Sequence, residues 1–436
     1  MYDFGQYALL SGMATEVKLH RNCDQIEVTL QLSLRPGTSM MDYEQEILDA
    51  LNESGRLATR ECLQEFDSDG SPIVLGGIKL TSKGPVVKNY QGPYGEMVIQ
   101  RHVYQSSEGG ATFCPLDQKA RIVESTTPRF AKMCSHKYAL LNSVSAQEDL
   151  ADNHGRKVSR CYLQDIAQAV AAIAQAKEVH WKYAEPELPA FVATVALGVD
   201  GTCLLYCEEG FRQAMVGTLS LYDVMGERLH TVYLGAPPEY GKERFYGMME
   251  QEIQRYKQRY GAADWVGVAD GAHDQWTWLE RWTDQSILDF WHAAGYLEKA
   301  AAGVCSSRQA RTAWFEKGRD RLKEEPGGAK KLLREMRHAL AQRQPRGAAR
   351  QDLEAAISYF ENHLPKMDYA RFRQDCLPIG SGVTEAACKT VVKQRLCGSG
   401  MKWKHSGAAT VLALRSLILT KGRWEQFWNK IDRFGL

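Results

Sequence analysis

Hydrophobic and polar positions alternate along the first quarter of the chain. Gln25–Leu34 (QIEVTLQLSL) and Gly95–Tyr104 (GEMVIQRHVY) read as strands of period two. Turn signals stand at Asp69-Gly70, Gly76-Gly77 and Gly109-Gly110, and one amphipathic helix is expected over Tyr43–Leu57. From Pro128 the period lengthens to that of helices, with segments Arg129–Leu141, Ser145–Asp152 and Ser159–Ile173. Ser145 with Glu148 three residues on reads as a capping box, and Ser159 as a second helix start. A short helix, a turn at Asn153-His154-Gly155 and a longer helix resemble a helix-turn-helix unit, a generic helical bundle being the other reading.

Phe191–Tyr206 (FVATVALGVDGTCLLY) then breaks the pattern with an almost continuous apolar run holding one acid, Asp200. It reads as a central strand that ends at Asp200 and turns through Gly201 into a second strand. Strands over Arg212–Tyr222 and Arg228–Leu234, a helix over Lys242–Tyr260, and a short strand Trp265–Ala269 closing on Asp270-Gly271 follow. A helix over Asp274–Trp282 and the strand-like Ser286–His292 complete the series. Three strands, helix, strand, helix, strand is the element order of an RNase H-like fold, in which the first and fourth strands pair in parallel. The fold class expected is therefore α/β.

Charged helical periodicity fills 308–376, a segment read as a helical insertion whose charges are solvated faces. After it, Leu377–Gly382 reads as a loop, and Val383 opens a helix with Glu385 in its first turn, where the helix dipole favours a carboxylate. The expected organisation is an α+β module at 1–127, a helical region with DNA-binding character at 128–176, a core at 190–307, the insertion at 308–376, and the last core helix with a basic end at 377–436.

Composition narrows the class without naming a partner. Hydrophobic residues make up 44% and charged residues 25%, as in ordinary globular proteins. No apolar run reaches membrane-spanning length, and Met1–Gly12 lacks the features of an export signal, so a cytoplasmic protein without a membrane partner is expected. Eleven cysteines, an odd number with no CxxC pair, argue for reduced thiols and against a zinc ribbon. The net charge is only +1, yet the 51 residues after Glu385 hold ten Lys or Arg against two acids. A phosphate-binding surface and a solvated helix face both fit that end.

Asp200, Asp270 and Glu385 fit one reaction better than three separate structural roles. An isolated buried carboxylate is costly and is normally paired or bound to a cation. Mg2+, for which Mn2+ can substitute, takes one or two carboxylates from a protein and leaves positions for phosphate and water. Two such ions can serve in-line displacement at a phosphodiester. On the strand, Val192, Thr194, Ala196 and Gly198 share the parity of Asp200 and are smaller than Val195, Leu197 and Val199. That face has room for a nucleic-acid backbone.

GVDGT at Gly198–Thr202, GVADGA at Gly267–Ala272, LDFWH at Leu288–His292 and PIGSGVTEAACKTVVKQR at Pro378–Arg395 together resemble the bacterial insertion-sequence DDE transposases of the ISKra type. The resemblance runs from the helix at Lys137 to GRWEQFW at Gly422–Trp428. It implies an RNase H-like core, Mg2+-dependent cleavage at transposon ends, joining of the 3′ hydroxyls to target DNA, and Asp200, Asp270 and Glu385 as the catalytic, metal-binding acids. Asp289 and His292 match a D-x-x-H element of transposases with helical insertions, which implies support of the acids or of the DNA end; a histidine packed at a strand end is the plainer account. Paired N-terminal cysteines seen in related transposases are missing, since QSSEGGATFC carries Cys114 alone, and no zinc is expected.

Transposon-end and target DNA are the expected partners, with a homodimer or larger assembly at synapsis. Arg156, Lys157, Arg160, Lys393, Arg395, Lys402 and Lys404 are the expected phosphate contacts, and Trp403 the expected stacking or wedge residue. An RNase H-like nuclease or junction resolvase without strand transfer, and a domesticated transposase-derived DNA-binding protein, are the alternatives.

Overall fold

The computed structural model describes residues 8–9, 14–21, 25–34 and 39–436. Cys23 and most of Met1–Gly12 lie outside them. The protein is a mixed α/β chain of two compact units, Met1–Trp181 with Glu425–Leu436, and Lys182–Trp424.

In the first unit, Ile73–Leu75, Ile78–Gly92, Gly95–Ser106 and Gly109–Phe113 form a four-stranded antiparallel sheet. Gly76 and Gly77 both take positive φ in the two-residue turn after Ile73–Leu75, the geometry that matches strand twist in a tight hairpin. The expected helix is longer than its apolar pattern suggested. It runs Met40–Gln64 from a capping box in which Ser39 accepts the Asp42 N–H. Three further helices span Pro128–Leu140, Ser143–His154 and Arg160–Lys177. The second starts earlier than expected because Asn142, not Ser145, caps it, accepting the N–H groups of Val144 and Ser145 at 3.0 Å each. Ser159 does cap the third, through the Tyr162 N–H at 3.2 Å.

The second unit is built on a five-stranded sheet: β1 (Thr194–Tyr206), β2 (Gly210–Tyr222), β3 (Arg228–Ala236), β4 (Asp264–Ala269) and β5 (Gln285–Leu288). Their spatial order is β3-β2-β1-β4-β5. The first three pair antiparallel, while β4 runs parallel to both β1 and β5. Helix α1 (Glu243–Arg259) packs Phe245, Met249, Ile253 and Tyr256 into the core with Trp265, Val266 and Leu219, and α2 (His273–Leu279) follows β4.

Three corrections bear on the site. β1 does not end at Asp200: it continues through Gly201 to Tyr206, with Asp200 opposite Val216 and Gly201 opposite Met215. Asp-Gly is not a turn here. Gly201 sits where an added Cβ would come within 2.2 Å of the Gln213 amide, so close side-chain packing rather than reversal accounts for the glycine. The fifth strand stops at Leu288, and Asp289 instead caps α3 (Phe290–Val304), accepting the His292 N–H at 2.7 Å. Finally, the small face of β1 is filled. A Cβ on Gly198 would lie 2.0 Å from Thr384 Oγ1, so helix α7 (Gly382–Ala387) approaches there, in place of the nucleic-acid backbone expected.

Residues 308–363 fold as α4 (Arg308–Glu324), α5 (Gly328–Arg343) and α6 (Ala348–His363). Leu332, Met336, Leu353 and Phe360 join the same core as the sheet. After α7 the helix widens through a π-type stretch, Cys388–Lys393, before Gln394–Leu396; such widenings recur at functional sites.

Candidate metal centre

Parallel pairing sets the first two acids side by side. Asp264 to Gly267 on β4 are each registered with the β1 residue seventy positions earlier, from Thr194 to Leu197. Continued three residues past the strands' shared span, that register puts Asp270 level with Asp200. Helix α7 then brings Glu385 over β1, held by the Thr384–Thr218 hydroxyl contact of 2.7 Å. Asp200, Asp270, His292, Ser381 and Glu385 line one cavity of about 220 Å3. The three acids separated by the helical segment therefore share one space.

Each ligand candidate is positioned by its neighbours. Asp200 accepts the Gly201 N–H at 2.6 Å through one oxygen and the Cys388 thiol at 3.3 Å through the other. Burial raises its pKa, and the charges of Asp270 and Glu385 push it further in the same direction. Burial also raises the Cys388 thiol well above its ordinary value, with the Asp200 charge adding to the effect, so this cysteine is a neutral donor. Asp270 accepts the Ala272 N–H at 3.2 Å, and its backbone carbonyl accepts the Tyr359 hydroxyl of α6 at 2.7 Å. Glu385 Oε1 lies 2.9 Å from the Ser381 hydroxyl, whose single proton it shares with Asp289.

Asp289 is fully buried and ties the wall together. One oxygen accepts from the His292 backbone and lies 3.1 Å from its Nδ1. The other accepts the backbone N–H and, at 2.9 Å, the hydroxyl of Ser381. His292 Nδ1 lies 3.7 Å from Glu385 Oε1. Candidate ligand atoms of Asp289, His292 and Glu385 all fall within 4.8 Å of one another. The expected acid trio thus shares its cavity with a second grouping, joined to it through Glu385, and the D-x-x-H histidine stands in the first turn of a helix rather than on a strand.

The donor set suits a hard divalent cation: carboxylate oxygens dominate, and among the described residues no Lys or Arg forms an ion pair with Asp200, Asp270 or Glu385. Asp289, His292 and Glu385 are the residues whose ligand atoms lie close enough together to hold a metal ion, and Asp200 and Asp270 line the same cavity as His292 and Glu385. Ser381, Tyr359 and Cys388 were not singled out from sequence. Their signal was adjacency: Ser381 lies in the loop before Glu385, and Cys388 one turn after it.

The expected DNA contacts divide. Lys157, Arg160, Lys393, Lys402 and Lys404 are exposed. Arg156 is buried, with Nε donating to the Gly92 carbonyl at 3.0 Å, a bond to Gln91, and its guanidinium 5.1 Å from the Phe130 ring centre. Arg395 is buried with its guanidinium 5.2 Å from the Trp403 ring. Trp403 donates Nε1–H to the Leu396 carbonyl at 2.8 Å and its backbone N–H to Leu205. Arg156, Arg395 and Trp403 are therefore packing residues: their apolar surfaces and donors are already used inside the fold.

Among the described residues no helix is long and apolar enough to cross a membrane. Neither a protein-family model nor a curated protein matches the chain.

Proposed function

We propose that the protein is a DDE transposase with an RNase H-like core interrupted by a helical insertion, α4 to α6, which cleaves transposon ends and joins their 3′ hydroxyls to target DNA. The observation that supports this reading is the meeting of Asp200, Asp270 and Glu385 at one 220 Å3 cavity, with no Lys or Arg paired to any of them among the described residues. A divalent cation bound there supplies activation of the attacking oxygen and charge stabilisation at the leaving one.

The chain's own groups supply the placement. Asp200 is fixed by the Gly201 N–H and the Cys388 thiol, which leaves its charge directed at the cavity. Tyr359 anchors the backbone of Asp270. Ser381 restrains Glu385 and is itself held by Asp289. Asp289 also orients His292, whose ring lines the cavity with Nδ1 engaged.

Asp200→Asn is expected to retain binding to duplex DNA bearing the element's terminal repeats while losing Mg2+- or Mn2+-dependent cleavage by about ten-thousand-fold, ~5.4 kcal/mol of barrier. Retained cleavage in this variant would sink the reading. Joining of the cut 3′ ends to a second duplex separates a transposase from a nuclease that stops at the cut.

A further inference from the structure

We propose that the groove between α4 and α5 is a second DNA-backbone site, gripping the duplex about one helix-length from the acid cavity; this rests on the DNA-processing reading above. The charges of this segment are not evenly solvated. Residues 308–350 carry thirteen Lys or Arg against five acids, in a chain whose net charge is only +1. Arg321, Lys331, Arg334, His338 and Arg343, with Trp314 and the single acid Glu335, line a cavity of about 680 Å3.

Within that cavity the basic groups differ in their partners. Arg321 pairs with Glu325 and Glu335, and Lys331 with Glu325. Among the described residues Arg334, His338 and Arg343 have no carboxylate within ion-pair distance, and all three are exposed. Lys331, Arg334 and His338 fall three and four residues apart on one face of α5. Exposed Arg334 and Arg343, without a carboxylate partner among the described residues, favour a polyanion, and each neutralised phosphate returns counterions to solution.

Helix α3 sets the spacing. Its first turn carries His292 into the acid cavity, and its last residue, Val304, with Cys305 lines the groove. The twelve residue steps from His292 to Val304 span roughly 18 Å, so a duplex lying along α3 places in the groove a phosphate about five base pairs from the one at the acids.

The test measures affinity of the full chain, carrying Asp200→Asn to prevent cutting, for end-labelled duplex DNA across a salt series. Arg334→Glu with Arg343→Glu is expected to weaken binding at least about tenfold near 0.1 M salt and to lower the slope of log K against log salt by roughly 2. Arg334→Gln with Arg343→Gln should lower the slope similarly with a smaller loss. Arg337→Glu with Arg350→Glu, residues paired to Glu361 and Glu354 outside the groove, should change binding far less. Thermal midpoints matched to the parent establish that all variants fold. Unchanged affinity and slope, or an equal loss in the Arg337/Arg350 variant, would overturn the proposal. Cleavage with Asp200 restored separates the two readings: cutting that persists alongside unchanged groove-variant binding rejects the groove alone, and groove-dependent binding without any cutting rejects the catalytic reading alone.

Discussion

The acid cavity and the buried arginines both carry charge into the interior, and they handle it in opposite ways. Arg423 is nearly inaccessible and meets both oxygens of Glu252, at 2.6 and 2.9 Å. Arg415 donates Nε–H to the Val391 carbonyl at 2.9 Å, and Arg156 bonds Gly92 and Gln91. Each guanidinium is matched to acceptors from its own surroundings, as a structural charge must be. Asp200 instead has neighbours of its own sign, Asp270 and Glu385, which add to burial in raising its pKa. A charge matched within the fold holds the fold together, whereas like charges gathered in one cavity are what the proposed cation would offset.

That contrast can be broken by measurement. The largest stability effect is expected at Arg423→Ala, which leaves the half-buried Glu252 with Arg255 as its remaining ion-pair partner and should cost about 3 kcal/mol in urea unfolding; a loss below about 1 kcal/mol would show that the pair is not structural. Next is Gly198→Ala, whose Cβ would meet Thr384 Oγ1 at 2.0 Å. It should cost about 2 kcal/mol and reduce cleavage by displacing Glu385, with part of both losses recovered in the double variant with Thr384→Ala. Independent, additive effects would mean that this contact does not seat the helix.

His230 shows a third solution, avoiding charge altogether. Burial, with the nearby charges of Arg423 and Lys421, lowers its pKa to about 4 despite the opposing charge of Glu185. The unfolded chain takes up that proton near pH 6.5. Between these values the unfolded state binds more protons, so stability falls as pH drops from about 6.5 to about 4. His230→Phe should flatten that part of the urea midpoint's pH profile, and an unchanged slope would reject the assignment. The smallest expected effect is a gain: without added divalent cation, Asp200→Asn should stabilise the fold by under about 1 kcal/mol, because it removes one of three like charges. Destabilisation would place Asp200 with the matched structural charges.

Much of the sheet was legible because strand periodicity and order are local signals. Arg212–Tyr222 and Trp265–Ala269 were expected within two residues of their observed starts, and the parallel pairing followed from the helix between strands. Local signals also misled where distant residues decide. Asp200-Gly201 has the composition of a turn, but thirteen residues of pairing with β2 carry the strand straight through it. Arg156 and Arg395 look like phosphate ligands in a basic sequence, yet Phe130, Gln91 and Trp403, remote in the chain or across a loop, claim them. The acids themselves stood out because carboxylates next to apolar strands are unusual. The residues that position them, Ser381, Tyr359 and Cys388, are ordinary by type and become meaningful only through contact.

The bond between Cys388 and Asp200 joins positions 188 residues apart. At ordinary rates of synthesis, about 5 to 20 residues per second, a ribosome needs roughly 10 to 40 s to pass from the first acid to the last. Throughout that interval the nascent chain holds an incomplete set of the cavity's acids. Completion of the centre is thereby timed by chain growth, and a truncated product ending before Glu385 has no means of assembling it.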